Sequence, residues 1–190
     1  MLLSVVLITH NEESNIARTL RSVDGLVRNG AGEIIIVDSG STDRTVEIAK
    51  SLGAKVFEEP WRGFAAQKNS AIAKASGDWI LSLDADEELS SAAQAFLLQF
   101  LARSAAEWPG GVWFSRRNYF LGRWIRHGGF YPDKKLRLFR RRSGRFEDRQ
   151  VHEDIALADR GKHRIAEPRC SKGAFDGYRP GKDKPEEYPR

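Results

Sequence analysis

The run Asp84-Ala85-Asp86-Glu87-Glu88 sets four carboxylates directly behind an apolar stretch containing Trp79, Ile80, Leu81 and Leu83. Ionised groups at the edge of a core are costly unless they reach water, a cationic partner or a metal. Asp84 and Asp86 are a pair that suits Mg²⁺ or Mn²⁺, hard ions that take oxygen ligands and share them with phosphates. Two further polar clusters follow apolar runs: Thr9, His10, Asn11 and Glu12 behind "LSVVLI", and Asp38, Ser39, Gly40, Ser41 and Asp43 behind "EIIIV". Taken singly, "DSGSTD" is also the sequence of a tight turn with a helix cap. A lone Asp-x-Asp arises often in solvated loops.

The elements that carry these clusters give them a common place. The β-branched run at 3–9 precedes Ile16, Leu20, Val23 and Val27 at helical spacing. "EIIIVD" precedes a helix expected from about Thr42 to Leu52, stopped by Gly53. "AKVFEE" precedes the helix "GFAAQKNSAIAKAS", and "DWILSLD" precedes a long helix opened by Ser90 or Ser91. Strands alternating with helical crossovers predict an α/β domain, Rossmann-like, with a mostly parallel sheet flanked by helices. In such sheets ligands bind outside the carboxyl ends of the strands, and all three clusters fall there. On that placement Asp38 sits outside the core, where it could accept hydrogen bonds from a nucleobase or ribose. The Asp84-Ala85-Asp86 turn would hold a metal on a nucleotide diphosphate. The first strand is not followed by G-x-G-x-x-G, and no G-x-x-x-x-G-K-[ST] occurs, which argues against a dinucleotide oxidoreductase and a P-loop hydrolase.

A chain of 190 residues is one domain's worth and buries roughly 70% of its unfolded surface. One cysteine, Cys170, precludes an internal disulfide and points to a reducing, cytoplasmic setting. The N-terminal apolar run lacks a basic n-region and is too short to span a bilayer. The net charge of +5 is concentrated between Arg116 and Arg149. There Trp113, Phe114, Tyr119, Phe120, Trp124, Phe130 and Tyr131 lie before and among the arginines. Aromatic faces stack on sugar rings and arginines grip phosphates and carboxylates, so this half fits an anionic glycolipid or glycan acceptor at an anionic membrane surface. Nucleic acid ranks lower, because no helix-turn-helix, zinc or RNP-type pattern accompanies the charge. Read alone, Arg140 to Arg142 are a solvated face, but within this basic stretch they are expected to contribute to binding at an anionic membrane surface. Residues 161–190 are rich in Pro, Gly and charge, which predicts a poorly ordered tail.

In order along the chain, "SVVLITHNEESNI", "IIIVDSGSTDRTVEIA", "AAQKNSAI", "GDWILSLDADEEL" and "KLRLFRR…VHED" resemble glycosyltransferase family 2, inverting enzymes of GT-A fold. The branch most similar contains lipopolysaccharide core β-1,4-glucosyltransferases. The resemblance covers residues 1 to about 157. It implies a nucleotide-sugar donor, UDP-linked, and a divalent cation on the Asp84-Ala85-Asp86 motif; Asp86 is the expected direct ligand, with Asp84 reaching the ion through water or contacting the ribose. It places Thr9, Asn11, Glu12, Asp38 and Ser39 around the nucleotide, with Gln67, Lys68 and Asn69 facing it from a helix and Arg137 beside the donor. The segment "QVHEDIAL" then supplies Glu153 or Asp154 as the base that activates an acceptor hydroxyl, with His152 a further metal ligand. The competing reading is that Glu153 and Asp154 cap a helix beginning at Ile155. The expected organisation is one domain over 1–160, with a nucleotide-binding half (1–108) and an acceptor-side half (109–160), followed by the tail. The tail lacks the apolar sequence with which members of that branch continue. A nucleotide-sugar-binding protein without transferase activity is therefore the second reading.

Overall fold

The computed structural model describes residues 2–102, 110–120, 123–147, 154–157 and 175–176. Strands β1 (Leu3–Thr9), β2 (Gly32–Asp38), β3 (Lys55–Glu58) and β4 (Trp79–Ser82) are parallel. They are joined by helices α1 (Ile16–Val27), α2 (Thr45–Ser51) and α3 (Phe64–Lys74). After these come β5 (Glu88–Leu89), α4 (Ser91–Ala102), β6 (Gly111–Arg117), β7 (Tyr119–Phe120), β8 (Arg123–Trp124), β9 (Asp133–Arg140), β10 (Gly144–Glu147), β11 (Asp154–Leu157) and β12 (Phe175–Asp176). The main sheet runs β3-β2-β1-β4-β9-β6-β12-β5. Strand β9 is antiparallel to both β4 and β6, so the sheet is mixed.

Strand β1 is buried along its whole length because its two faces feed two layers. Leu3, Val5 and Leu7 pack with Ile16, Leu20, Val23 and Leu26 of α1 and with Leu97 and Phe100 of α4. Val6 and Ile8 belong to the opposite layer, with Ala65, Ala71 and Ile72 of α3 and with Phe139 and Phe146. A strand covered on both faces reads as a continuous apolar run, which is what β1 and β2 show. Helix α4 starts as its sequence predicts, the Ser90 Oγ accepting the Ala93 N–H at 3.3 Å.

Three expectations change. Helix α2 begins at Thr45 rather than near Thr42, because Asp43 accepts the Thr45 N–H at 2.9 Å and the residues before it form the turn. Residues 154–157 are a strand paired to β10, Glu147 opposite Asp154, which removes the helix-capping reading of Asp154. Within the segment 161–190, Phe175–Asp176 are paired as β12, parallel to β6 and antiparallel to β5. Strand addition uses backbone groups alone and needs no apolar sequence, so composition could not reveal it.

Candidate functional site

The carboxyl ends of β1, β2 and β4 meet at one edge of the sheet. Strands β2 and β3 lie on one side of β1 and β4 on the other, so the chain reverses its winding there, the place where open α/β sheets form a ligand crevice. Thr9 pairs with Asp38 across β1 and β2. Asp38 is fully buried. Its Oδ2 accepts from Thr9 Oγ1 at 2.7 Å and Ser41 Oγ at 2.6 Å, and its Oδ1 from the Gly40 and Ser41 N–H groups at 3.0 and 2.8 Å. The expectation that Asp38 lies outside the core is therefore corrected: its carboxylate is spent on shaping the 39–41 loop.

Asn11 adopts φ 53°, a left-handed conformation that is strained for most residues other than glycine and tolerated by asparagine. The turn is held by the Asn11 N–H donating to Ser41 Oγ at 2.9 Å and by Asn11 Oδ1 accepting the Thr42 N–H at 2.8 Å. Glu12 closes the start of α1: its carbonyl accepts the Asn15 and Ile16 N–H groups, and its carboxylate accepts from Asn15 Nδ2 at 2.8 Å. From α3, buried Gln67 donates through Nε2 to Ser39 Oγ at 2.9 Å. Gln67 Oε1 is buried with no partner among the described residues. Asn69 faces elsewhere. Its amide both donates to the Phe146 carbonyl and accepts the Phe146 N–H, each at 2.9 Å. That replaces the expected ligand contact with a clamp on β10.

At the end of β4 three carboxylates of the opening run, Asp84, Glu87 and Glu88, find cationic partners of the protein's own. Asp84 Oδ1 accepts from Lys68 Nζ at 2.9 Å and Oδ2 from Arg137 Nη2 at 2.8 Å. Arg137, 5% exposed, also bonds Glu87, 2% exposed, and Arg116 reaches Glu87 at 3.3 Å. Helix α1 supports the turn: Thr19 Oγ1 donates to the Ala85 carbonyl at 2.7 Å, Arg18 to the Asp86 carbonyl at 3.2 Å, and Arg18 pairs with Glu88 at 3.2 Å. Burial alone would raise the Asp84 carboxyl, but the charges and hydrogen bonds of Arg137 and Lys68 outweigh it and hold Asp84 well below the usual carboxylate range. At Glu87 burial wins, with the Asp84 charge adding to it against Arg137 and Arg116, and its pKa is pushed up. Of the two, Glu87 takes the first proton as pH falls.

Lys68 and Arg137, expected at the donor, are thus the residues that fix Asp84. Glu87 and Arg116 complete the cluster and were not singled out from sequence, although an acid in a buried run and an arginine in a strand "FSRRN" were both visible. Among the described residues no three His, Cys, Asp or Glu side chains are grouped to hold a metal by themselves. Asp86 is half-buried on a braced turn, and about a third of the Asp84 side chain is exposed at 32%. A cation here would rest on these two and take its remaining ligands from phosphate oxygens or water, the pattern Mg²⁺ and Mn²⁺ favour. Asp154 is placed as the first residue of β11, and His152 and Glu153 lie outside the described residues. The run Arg140–Arg142 lies at the opposite end of β4, around a cleft of about 340 Å³ shared with Asp78 and Ser143.

These features agree with comparisons to known proteins. The lipopolysaccharide core biosynthesis glycosyltransferase LpsC of Rhizobium meliloti is 35% identical over 159 residues, covering 80% of this chain and 56% of LpsC. An uncharacterized glycosyltransferase of Rickettsia typhi is 50% identical over 92 residues, 48% of this chain and 30% of that protein. The chain thus spans between about a third and a little over half of these relatives. Among solved structures, S. aureus TarS 1-349 in complex with UDP-GlcNAc superposes with a TM-score of 0.59 at 19% identity, covering 90% of this chain and 60% of that one. That likeness supports the GT-A fold. The profile described as Glycosyl transferase family 2 matches residues 4–160, and the chain belongs to that family.

Proposed function

We propose that this chain binds a nucleotide-sugar at the carboxyl edge of β1, β2 and β4 and transfers the sugar, with inversion, to a glycan or glycolipid acceptor. The observation that carries the reading is the meeting of three polar strand ends at the reversal of the sheet, with Asp84 locked between Lys68 and Arg137 beside Asp86. LpsC, by name a lipopolysaccharide core biosynthesis glycosyltransferase, supports lipopolysaccharide core or cell-envelope glycan as the acceptor class; the reading takes UDP-glucose as the donor and the cytoplasmic face of the inner membrane as the setting. No helix of the described residues is long and apolar enough to cross a membrane.

Thr9, Ser39 and Asp38 shape the floor under the nucleotide, and Asn11 and Glu12 form its rim. Gln67 Oε1, an unpartnered acceptor at that floor, suits an N–H donor such as a pyrimidine imide after a small side-chain movement. Asp86, with Asp84 behind it, would hold Mg²⁺ or Mn²⁺, and the ion would supply charge neutralisation to the departing diphosphate. Lys68 and Arg137 keep Asp84 ionised and oriented. Glu153 is assigned as the base for the acceptor hydroxyl, with Asp154 the second candidate and His152 a further ligand for the ion.

The test is a panel of nucleotide-sugars scored by thermal shift and hydrolysis, each with Mn²⁺, Mg²⁺ or a chelator. A UDP-sugar raises the melting temperature in a concentration-dependent way only with a divalent ion, and Asp86→Asn removes the metal-dependent part. A donor shift in Asp86→Asn with the wild-type metal dependence rejects the assignment. Binding of donor without hydrolysis or transfer favours the nucleotide-sugar-binding reading instead.

A further inference from the structure

Strand β6 is antiparallel to β9, which is antiparallel to β4. Its carboxyl end, Arg116–Arg117, therefore lies at the same sheet edge as Asp84, and the Arg116–Glu87 contact at 3.3 Å ties the two together. From that edge the chain leaves the sheet at Asn118 and returns at Asp133. Between them stands the β7–β8 hairpin, Tyr119 opposite Trp124 and Phe120 opposite Arg123.

The excursion has a composition unlike an ordinary solvated loop. Residues 117–132 contain three arginines, Arg117, Arg123 and Arg126, and no aspartate or glutamate. Phe120 is 63% exposed and Phe130 50% exposed. The rest of the excursion is braced from within. The Trp124 ring carries the Arg117 and Arg126 guanidinium groups at 4.6 and 4.3 Å and meets Tyr131 edge-on at 5.2 Å. Asn118 donates to the Phe130 carbonyl at 3.1 Å. Two phenylalanines are thus presented outward on a stiff frame, beside exposed Arg123 and Arg126. Aromatic and basic side chains together, without carboxylates, match the headgroup layer of an anionic bilayer, which receives ring faces and attracts cations at once.

We infer that residues 118–120 and 123–131 dock on an anionic membrane surface, Phe120 and Phe130 entering the headgroup layer while Arg123 and Arg126 meet lipid phosphates. The transferase reading is needed only for the purpose of this contact, which brings a lipid-linked acceptor to the edge that carries Asp84 and Asp86. The charged run Arg140–Arg142, at the far end of the sheet, would face away.

The experiment is sedimentation of the full chain with phosphatidylcholine vesicles, with and without phosphatidylglycerol. Wild type binds the anionic vesicles. Arg123→Gln with Arg126→Gln lowers the partition by about thirty-fold, the contribution of two basic residues at such a surface. Phe120→Ser with Phe130→Ser lowers it on the order of ten-fold. Arg142→Gln with Arg145→Gln, an equal charge change at exposed sites elsewhere, has a much smaller effect. The inference is overturned by absence of lipid-dependent binding, by a phenylalanine variant that binds as wild type, or by equal losses in the two arginine variants. A metal-dependent thermal shift with UDP-sugar, measured on the same proteins, reports the donor site separately. Its survival when vesicle binding fails leaves the transferase reading standing, and its loss with vesicle binding intact does the reverse.

Discussion

Replacing Arg137 with methionine removes the cation that two carboxylates share while keeping much of its volume. Arg137 and Glu87 are 5% and 2% exposed, so among the described residues Glu87 would be left as a buried acid with only Arg116 at 3.3 Å and one backbone N–H, that of Asp84. Removing one partner of a buried ion pair costs about 3–5 kcal/mol. The lower end applies here, because Asp84 keeps Lys68 at 2.9 Å and its side chain is 32% exposed. About 3 kcal/mol corresponds to a fall in melting temperature of roughly 6–12 °C for a domain this size. The loss should shrink in acid. A carboxyl whose folded pKa lies above its unfolded one opposes folding as pH rises through those values, and Glu87, already raised, is raised further without Arg137. The variant is therefore relieved as pH falls through the raised folded value of Glu87, and fully so below the unfolded carboxylate value. Glu87→Gln added to Arg137→Met should recover at least about 1.5 kcal/mol, a coupling expected of contacting charges. Urea titrations of the four proteins of this cycle at neutral and acid pH measure all three quantities. A loss under about 1 kcal/mol, independent of pH and additive with Glu87→Gln, would refute the account of the cluster.

Two further substitutions probe the frame around the site. Asp38→Asn keeps the size but turns one acceptor oxygen into a donor facing hydroxyl or N–H groups, which should cost about 2–3 kcal/mol in urea unfolding and weaken UDP binding by calorimetry. Wild-type stability in that variant would mean the 39–41 loop does not depend on the carboxylate. Glu33 reports on the opposite edge. Burial would raise its carboxyl, but hydrogen bonds from Lys55, Ser76 and Ser4 bring it from 4.5 to about 2. A depressed acid stabilises the fold above its unfolded pKa and loses that contribution as pH falls through the folded value. The shift would give about 3 kcal/mol, reduced to about 2 because Lys55 is largely exposed. Urea midpoints followed from neutral pH down to about pH 2 should fall in wild type and stay flatter in Glu33→Gln, and parallel curves would show that Glu33 contributes nothing.

The sheet was readable because its strands are covered on both faces. Continuous runs such as "SVVLI" and "EIIIV" admit no other placement between helical spacings, and the crevice rule then located the polar ends. Side-chain assignments were harder, because a polar residue at a strand end can serve the ligand or the loop that receives it. Asp38, Asn69 and Lys68 have the residue types of ligand contacts, yet in the fold their polar groups meet Ser41, Phe146 and Asp84. Periodicity does not report such partners, since each pair lies on different elements or across a turn. Strand β12 was illegible for another reason: a two-residue strand is too short to show a period.

The division at residue 108 into a nucleotide-binding half and an acceptor-side half follows the change in sequence pattern, but the physics joins them. Strand β9 lies against β4, with Ile80 opposite Phe139 and Leu81 opposite Leu138, so the apolar core crosses the boundary. The charges cross it too. Asp84 and Glu87 come from the first half, and Arg137 and Arg116 from the second. Without β6 and β9, Glu87 would lose both of its arginines and Asp84 one of its two cations. A first half expressed alone would then have to expose its β4 edge and neutralise or hydrate the very carboxylates assigned to the donor. Ionisation of Asp84 is therefore a property of the assembled sheet, and the strand that supplies Arg137 begins where the membrane-facing excursion ends. The proposed donor site at the end of β4 and the proposed acceptor approach at the start of β9 are in this way tied together by adjacent strands.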